Sequence, residues 1–144
     1  MSSTVSLVHT TDDSARVDVT VPLRSEFASI VRLIAASLGA DAGFTVDDID
    51  DLRLALSEVF SSLVDGSSDD ADERVAIAFD TSGPGLSVTM STSPGSGGRA
   101  VTDVVLDELA ASIISVAVDE FHVADGVAKI VKLGSESPVD QTDS

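Results

Sequence analysis

The chain has no cysteine, no tryptophan and no tyrosine. Without cysteine it can form no disulfide and carry out no thiol catalysis. Five phenylalanines are its only aromatics, too few for a platform on which nucleic acid bases stack. Cations are scarce: eight Lys and Arg stand against 25 Asp and Glu, a net charge of −17. Nucleic acids and anionic membrane surfaces are met by clusters of cations, and the sequence has no such cluster. Also missing is an apolar run near the twenty residues that a bilayer-spanning helix needs. The opening stretch, MSSTVSLVHTTDDSA, has no basic start and no long apolar region, so it does not read as a secretory signal. These absences together point to a cytoplasmic protein that binds neither nucleic acid nor membrane.

What is present is enough for one core. A chain of 144 residues fits a single domain and can bury about 68–70% of its unfolded surface, so it needs no metal or disulfide to fold. Hydrophobic residues make up 43%, too many for a disordered chain. The acid excess would steer in a basic protein partner; equally, it keeps the protein soluble or suits a salty cytoplasm.

Residues 4–10 and 16–23 alternate and are rich in Val and Thr, so they read as two strands, the second ended by Pro22. A helix follows, with Ser25 as N-cap, Phe27, Ile30, Val31, Ile34 and Leu38 as its apolar stripe, and Gly39 as its C-terminal cap. The next helix starts at a capping box, Thr45 with Asp48, and its early acids suit the positive end of the helix dipole. Ile49, Leu52, Leu56, Val59 and Leu63 recur at helical spacing as one buried face, and Gly66 closes the helix. Residues 73–80 and 86–92 alternate around TSGPG and read as a hairpin. SPGSGGR is a Gly-rich loop. Residues 103–117 read as a helix with Leu106, Leu109, Ile113 and Val116 inward. Residues 120–124 and 127–133 form a closing hairpin about Asp125-Gly126. The domain therefore runs from 1 to 134, and the acidic tail 135–144 reads as disordered. Strands gathered in hairpins argue for an α+β fold: a two-layer α/β sandwich, its sheet mixed but mostly antiparallel, with helices on one face.

The stretch VPLRSEFASIVRLIAASLGADAGFTVDDIDDLRLALSEVFSSLV, residues 21–64, resembles the opening half of the bacterial anti-sigma factor serine kinases. These belong to the histidine-kinase-like ATPase (GHKL) superfamily. Its most specific piece is DLRLALSE at 51–58. The family's usual pattern is a Pro-ended strand, a helix carrying arginine, an acidic helix start, then DLxLAxSExxxN. The resemblance implies the histidine-kinase-like ATPase fold.

It also implies an ATP site with three parts, and the sequence departs from each. Glu58 matches the helix glutamate that would act in catalysis. The asparagine that ligates Mg²⁺ four residues on is replaced by Ser62, a poorer donor for a hard cation. The Asp-x-Gly-x-Gly that reads adenine corresponds to residues 91–95: Ser91 stands for the aspartate, and only Gly95 survives of the glycines. The glycines of the phosphate lid are missing, since no glycine occurs from Arg99 to Asp125. PGSGG at 94–98 fits no phosphate-loop spacing, lacks the lysine and reads as a plain loop. His9 and His122 are too far apart in sequence for a metal pair or a Ser-His-Asp set and read as structural. The Asp pairs lack calcium-loop spacing and read as solvated charge.

The resemblance thus implies an anti-sigma factor that sequesters an alternative sigma factor of the stress or sporulation type. An anti-anti-sigma (STAS-type) partner would release it, and the working form would be a homodimer. The degenerate motifs imply no cofactor, with ATP and Mg²⁺ bound weakly at most: a pseudokinase. The alternative is an active serine kinase that phosphorylates the anti-anti-sigma factor, with Glu58 as its catalytic residue. In the family a helix arginine after the second strand meets the sigma factor. Arg24 and Arg32 are the only bases between Arg16 and Arg53. Arg32, off the apolar stripe, is expected as an exposed cation facing the partner, with Arg24 as a second partner contact.

Overall fold

The computed structural model describes residues 6–10, 16–65, 73–93, 108–124 and 127–134. In chain order these form β1 (Ser6–Thr10), β2 (Arg16–Pro22), a 3-10 turn (Ser25–Phe27), α1 (Ala28–Asp41) and α2 (Val46–Asp65). Then come β3 (Arg74–Asp80), β4 (Leu86–Ser93), α3 (Glu108–Ala117), β5 (Glu120–Ala124) and β6 (Val127–Lys132). The six strands make one sheet in the order β1-β2-β3-β4-β6-β5.

Every neighbouring pair is antiparallel, so the parallel component expected of a mixed sheet is absent from the described strands. The reason lies in the last crossover. After β4 the chain passes through α3 and returns as β5, which runs in the same direction as β4. It lands one place too far out to pair with it, and β6 folds back between the two.

Alternation along the strands puts one face of the sheet inward. Val19, Ile77, Met90 and Ala128 oppose one another in a row across four strands, and Val21 and Val75 lie in a row that ends at Thr92. The helices cover this face. From α2 come Leu52, Ala55, Leu56, Val59, Phe60 and Leu63; from α1, Val31 and Ala35; from α3, Ile114 and Ala117. Each large side chain so removed from water contributes about 1.5–3 kcal/mol. The fold is a two-layer α/β sandwich, as the hairpins in the sequence imply.

Three expectations are corrected here. Ser25 lies inside the 3-10 turn and is not a cap: Arg24 and Phe27 hold the cap positions, and neither makes a side-chain cap bond. Gly39 is buried inside α1 and does not close it. A Cβ on it would sit 3.1 Å from Phe44 and 3.2 Å from Ile49, so glycine serves close packing there. The chain turns instead at Gly43, at φ 88°, the positive-φ residue that ends helices. Finally, α3 buries Ala110, Ile114 and Ala117, whereas Leu109 and Val116 are 69% and 85% exposed. Its inward face is one residue out of step with the expected one. Leu106, Gly66, the Asp125-Gly126 turn and the tail 135–144 lie outside the described residues.

Candidate functional site

The second helix is fixed at its start by a reciprocal pair. Asp48 N–H donates to Thr45 Oγ1 at 3.1 Å, and Thr45 N–H donates to Asp48 Oδ2 at 3.0 Å. Asp48 is 2% exposed, so the box is sealed and the helix register is set from its first turn. At about 100° per residue, this register places Asp51, Glu58 and Ser62 along one flank of α2, beside the buried stripe.

That flank faces α3. Lys132, the last residue of β6 and buried, donates from Nζ to the Ala117 carbonyl at the end of α3 at 2.9 Å. The same Nζ lies 3.6 Å from Asp51 Oδ2. One ammonium therefore ties α2, α3 and β6 together and meets the negative end of the α3 dipole. The motif reading missed Lys132, but the alternation VAKIVK signals it: Ala128, Ile130 and Lys132 share the inward face.

Glu58 and Ser62 are half-buried and one turn apart on this flank, so the structure brings them together. Ser91 lies elsewhere. Its register row is Thr20, Ala76, Ser91 and Val127, which faces away from the helices. There it lines a shallow depression of about 200 Å³ with Arg16, Asp18 and Thr89. The inward residue of that pair of positions is Thr92. Gly95 lies outside the described residues. The residues matched to the magnesium and adenine positions thus stand on opposite sides of the sheet and do not assemble one nucleotide site. No group of three or more His, Cys, Asp or Glu able to hold a metal occurs among the described residues.

Of the cations expected at a partner surface, Arg24 is exposed, 3.6 Å from Glu26. Arg32 is not the free-standing exposed charge expected. It is half-buried, and its Nη1 donates to Ser57 Oγ at 3.3 Å. Ser57 in turn donates to the Arg53 carbonyl at 2.8 Å. The guanidinium is thereby seated in the seam between α1 and α2, where a helix-flank position seemed to offer only solvent. Arg32 lines a groove with Arg53, another residue that the motif reading did not single out. Among the remaining titratable groups, Asp80 has its carboxyl held below the usual range. The cause is first the Ser82 hydroxyl and then the Ser82 backbone N–H, both donating to Oδ1. His122 is exposed, 3.7 Å from Glu120, and His9 sits opposite Asp18 in the β1–β2 ladder.

An antiparallel sheet under a helix layer, with a capped central helix bearing a glutamate on one flank, is the class of protein these features define. Comparison with known proteins narrows it. The chain is 37% identical over 54 residues to the serine-protein kinase RsbW of Halalkalibacterium halodurans, a stretch covering 38% of this chain and 33% of that one. It is 30% identical over 64 residues to the proteins of the same name from Bacillus cereus and Bacillus thuringiensis, 44% of this chain and 40% of theirs. The chain thus aligns with no more than 40% of the length of these curated relatives. No protein-family model matches it. These relatives support the resemblance to the anti-sigma factor serine kinases drawn from residues 21–64. No helix among the described residues is long and apolar enough to cross a membrane.

Proposed function

We propose that the protein is an anti-sigma factor. It binds and sequesters an alternative sigma factor of the stress or sporulation type, acts as a homodimer in the cytoplasm, and is released by a STAS-type anti-anti-sigma partner. The observation that carries this reading is the match to the RsbW proteins, taken with the departures at the nucleotide positions. Ser62 and Ser91 replace the asparagine and aspartate of the family pattern, and Ser91 faces away from the helix layer that holds Glu58. These departures support binding by protein surface, with ATP and Mg²⁺ bound weakly at most. Arg32 and Arg24 are the proposed contacts to the sigma factor.

The test is co-purification from the native cell, followed by reconstitution with the captured sigma factor. A stoichiometric complex that blocks transcription from the cognate promoter, with no ATP added, is expected. If no sigma factor is retained, the reading fails.

The relatives' name, serine-protein kinase, and the matching glutamate, Glu58, favour a second reading, an active kinase acting on the anti-anti-sigma partner. Phosphoryl transfer depends on metal ions and positioned charge around the phosphates, and the serines supply neither strongly. Titration calorimetry is therefore expected to find weak or absent ATP–Mg²⁺ binding. Micromolar binding, or phosphate transfer abolished by Glu58→Ala, would establish the kinase instead.

A further inference from the structure

The two ends of the sheet are unlike. At one end, β1 pairs with β2 in a register that shifts between Ser6 and His9, and an irregular ladder blunts an edge. At the other, β5 pairs with β6 residue for residue from Glu120 to Ala124. No described strand lies against its outer side. Every second residue of such a strand turns both its N–H and its C=O outward, which is a template for one more strand. Lysine, proline, a bulge or an inward-pointing charge commonly guards an edge. The stretch EFHVA, paired one to one, holds none of them.

The apolar layer also ends unfinished at β5. Phe79, Val88 and Ile130 lie in one row across β3, β4 and β6, each 1% exposed or less. Ile77, Met90 and Ala128 lie in the next row, each 2% exposed or less. The two rows end on β5 at Phe121 and Val123, which pack against the core but are only partly buried. On its opposite face β5 carries Glu120 and His122, 58% and 68% exposed and 3.7 Å apart. Lys129 is held one strand further in, opposite His122.

We propose that β5 is a docking edge for an extended segment of a protein partner in which apolar and basic residues alternate. The segment adds a seventh strand to the six of the sheet. Its backbone groups meet those that β5 turns outward, and its apolar residues continue the rows beyond Phe121 and Val123. Its cations lie on the outer face beside Glu120. Each part excludes a rival. A helix has no free ladder to offer. An acidic strand meets Glu120 and the field of a chain of net charge −17, whereas that field draws a basic segment in. A second copy of β5 brings the same repelling charge with it. This edge is separate from the contacts proposed at Arg24 and Arg32, which follow β2 in the chain. β5 stands four places from β2 in the sheet, about 19 Å at the usual strand spacing, so both surfaces can be filled together.

The probe is a synthetic peptide of about six residues, alternating valine and lysine, with both ends blocked. One twin bears glutamate for every lysine. A second twin is N-methylated at its central amides, so it keeps the charge and loses the ladder. Binding to the full chain is read by amide shifts and by hydrogen exchange along β5.

The lysine peptide is expected to shift the amides of Glu120 to Ala124 and to slow exchange at every second one of them, the alternation that a new ladder leaves. Glu120→Lys should weaken it about tenfold while circular dichroism stays native. Val123→Lys, an inward charge on the edge, should weaken it as well; if that variant unfolds, Glu120→Lys and the N-methylated twin carry the test. The proposal is overturned if either twin binds as tightly as the lysine peptide, if no β5 amide gains protection, or if Glu120→Lys binds like wild type. It is also overturned if these amides are protected without peptide and lose that protection on dilution, because the occupant is then a second copy. Sigma-factor capture is scored separately. Its failure with the peptide result intact removes the anti-sigma reading and leaves the edge; the converse removes the edge alone.

Discussion

Gly43 and Gly85 both hold positive φ, at 88° and 73°, but their surroundings differ. A Cβ on Gly43 meets open space, whereas on Gly85 it collides with the Lys132 carbonyl oxygen and approaches Leu133 Cα at 2.9 Å. Gly43→Ala should therefore cost about 1 kcal/mol, the ordinary left-handed penalty. Gly85→Ala should cost more than about 2 kcal/mol, because backbone must move. Urea midpoints of the two variants give the comparison; equal losses would contradict it. Asp80, two residues before the Ser82 that donates to it, offers a pH test. Its folded pKa is depressed, chiefly by the Ser82 hydroxyl, so its stabilisation is present above the unfolded value near 4 and is lost as pH falls through the folded value. Asp80→Ala should lose about 0.5–1 kcal/mol at pH 7, and the gap to wild type should close once the pH has fallen below the folded value. A gap that persists there would mean the carboxylate is not its source. At this scale the sequence is uneven. The Thr45–Asp48 box could be read directly, since a capping box is local chemistry. Ser91 could have been placed on the outer face from the alternation of Leu86, Val88 and Met90, but matching it to a motif overrode that period. The seat of Arg32 depends on Ser57, 25 residues on, and no local pattern reports a contact of that separation.

Among the elements, α2 and α3 show when periodicity suffices. In α2 the apolar stripe has charged residues on its other sides, so only one face can be buried. Leu52, Leu56, Val59 and Leu63 are there, each 4% exposed or less. In α3 the described sequence ELAASIISVA carries one charge, and two faces are apolar. Leu109, Ile113 and Val116 form one, while Ala110, Ile114 and Ala117 form the other. Size preference selects the first, but the close approach to α2, with Ala117 held under Lys132, selects the smaller residues. Binary pattern cannot separate two apolar faces; packing distance does. The order of strands was legible through hairpins and turns, whereas the insertion of β6 between β4 and β5 is a long-range choice with no local mark. The measurable consequence is a reversal of the expected ranking in α3. Ile114→Ala should cost about 2–5 kcal/mol, as should Leu56→Ala in α2, while Val116→Ser should stay within about 0.5 kcal/mol of wild type. If Val116→Ser is the more damaging in thermal melts, the face assigned to α3 is wrong.

On the scale of the whole molecule, charge sets two effects against each other, and salt distinguishes them. Ion pairs at the surface include Arg16–Asp18, Arg24–Glu26 and Arg53–Asp50, at 3.0–3.7 Å with side chains 38–62% exposed. Each contributes less than about 1 kcal/mol, and screening weakens it. Lys132–Asp51 is better shielded on the lysine side, at 10% exposure, so salt reaches it less. Against these stands a net charge of −17, in which most carboxylates have no cation to meet. Compaction brings them together, and the self-repulsion destabilises the folded state. Raising NaCl from 0.01 M to 0.15 M shortens the Debye length from about 30 Å to about 8 Å, which removes most of the repulsion across the molecule while leaving contacts at 3–4 Å largely intact. Repulsion should dominate, so salt should stabilise. A gain of about 1 kcal/mol would raise the melting temperature by about 2–4 °C for a chain of this size. Scanning calorimetry across that range, at constant pH and with sodium sulfate excluded so that ion exclusion does not contribute, reads the sign. Lys132→Met should keep the same upward slope from a lower starting point, because its loss is a buried hydrogen bond to Ala117 and not a screened charge. A melting temperature that falls with NaCl would mean that the few cations, and not the many acids, govern the electrostatics of the fold.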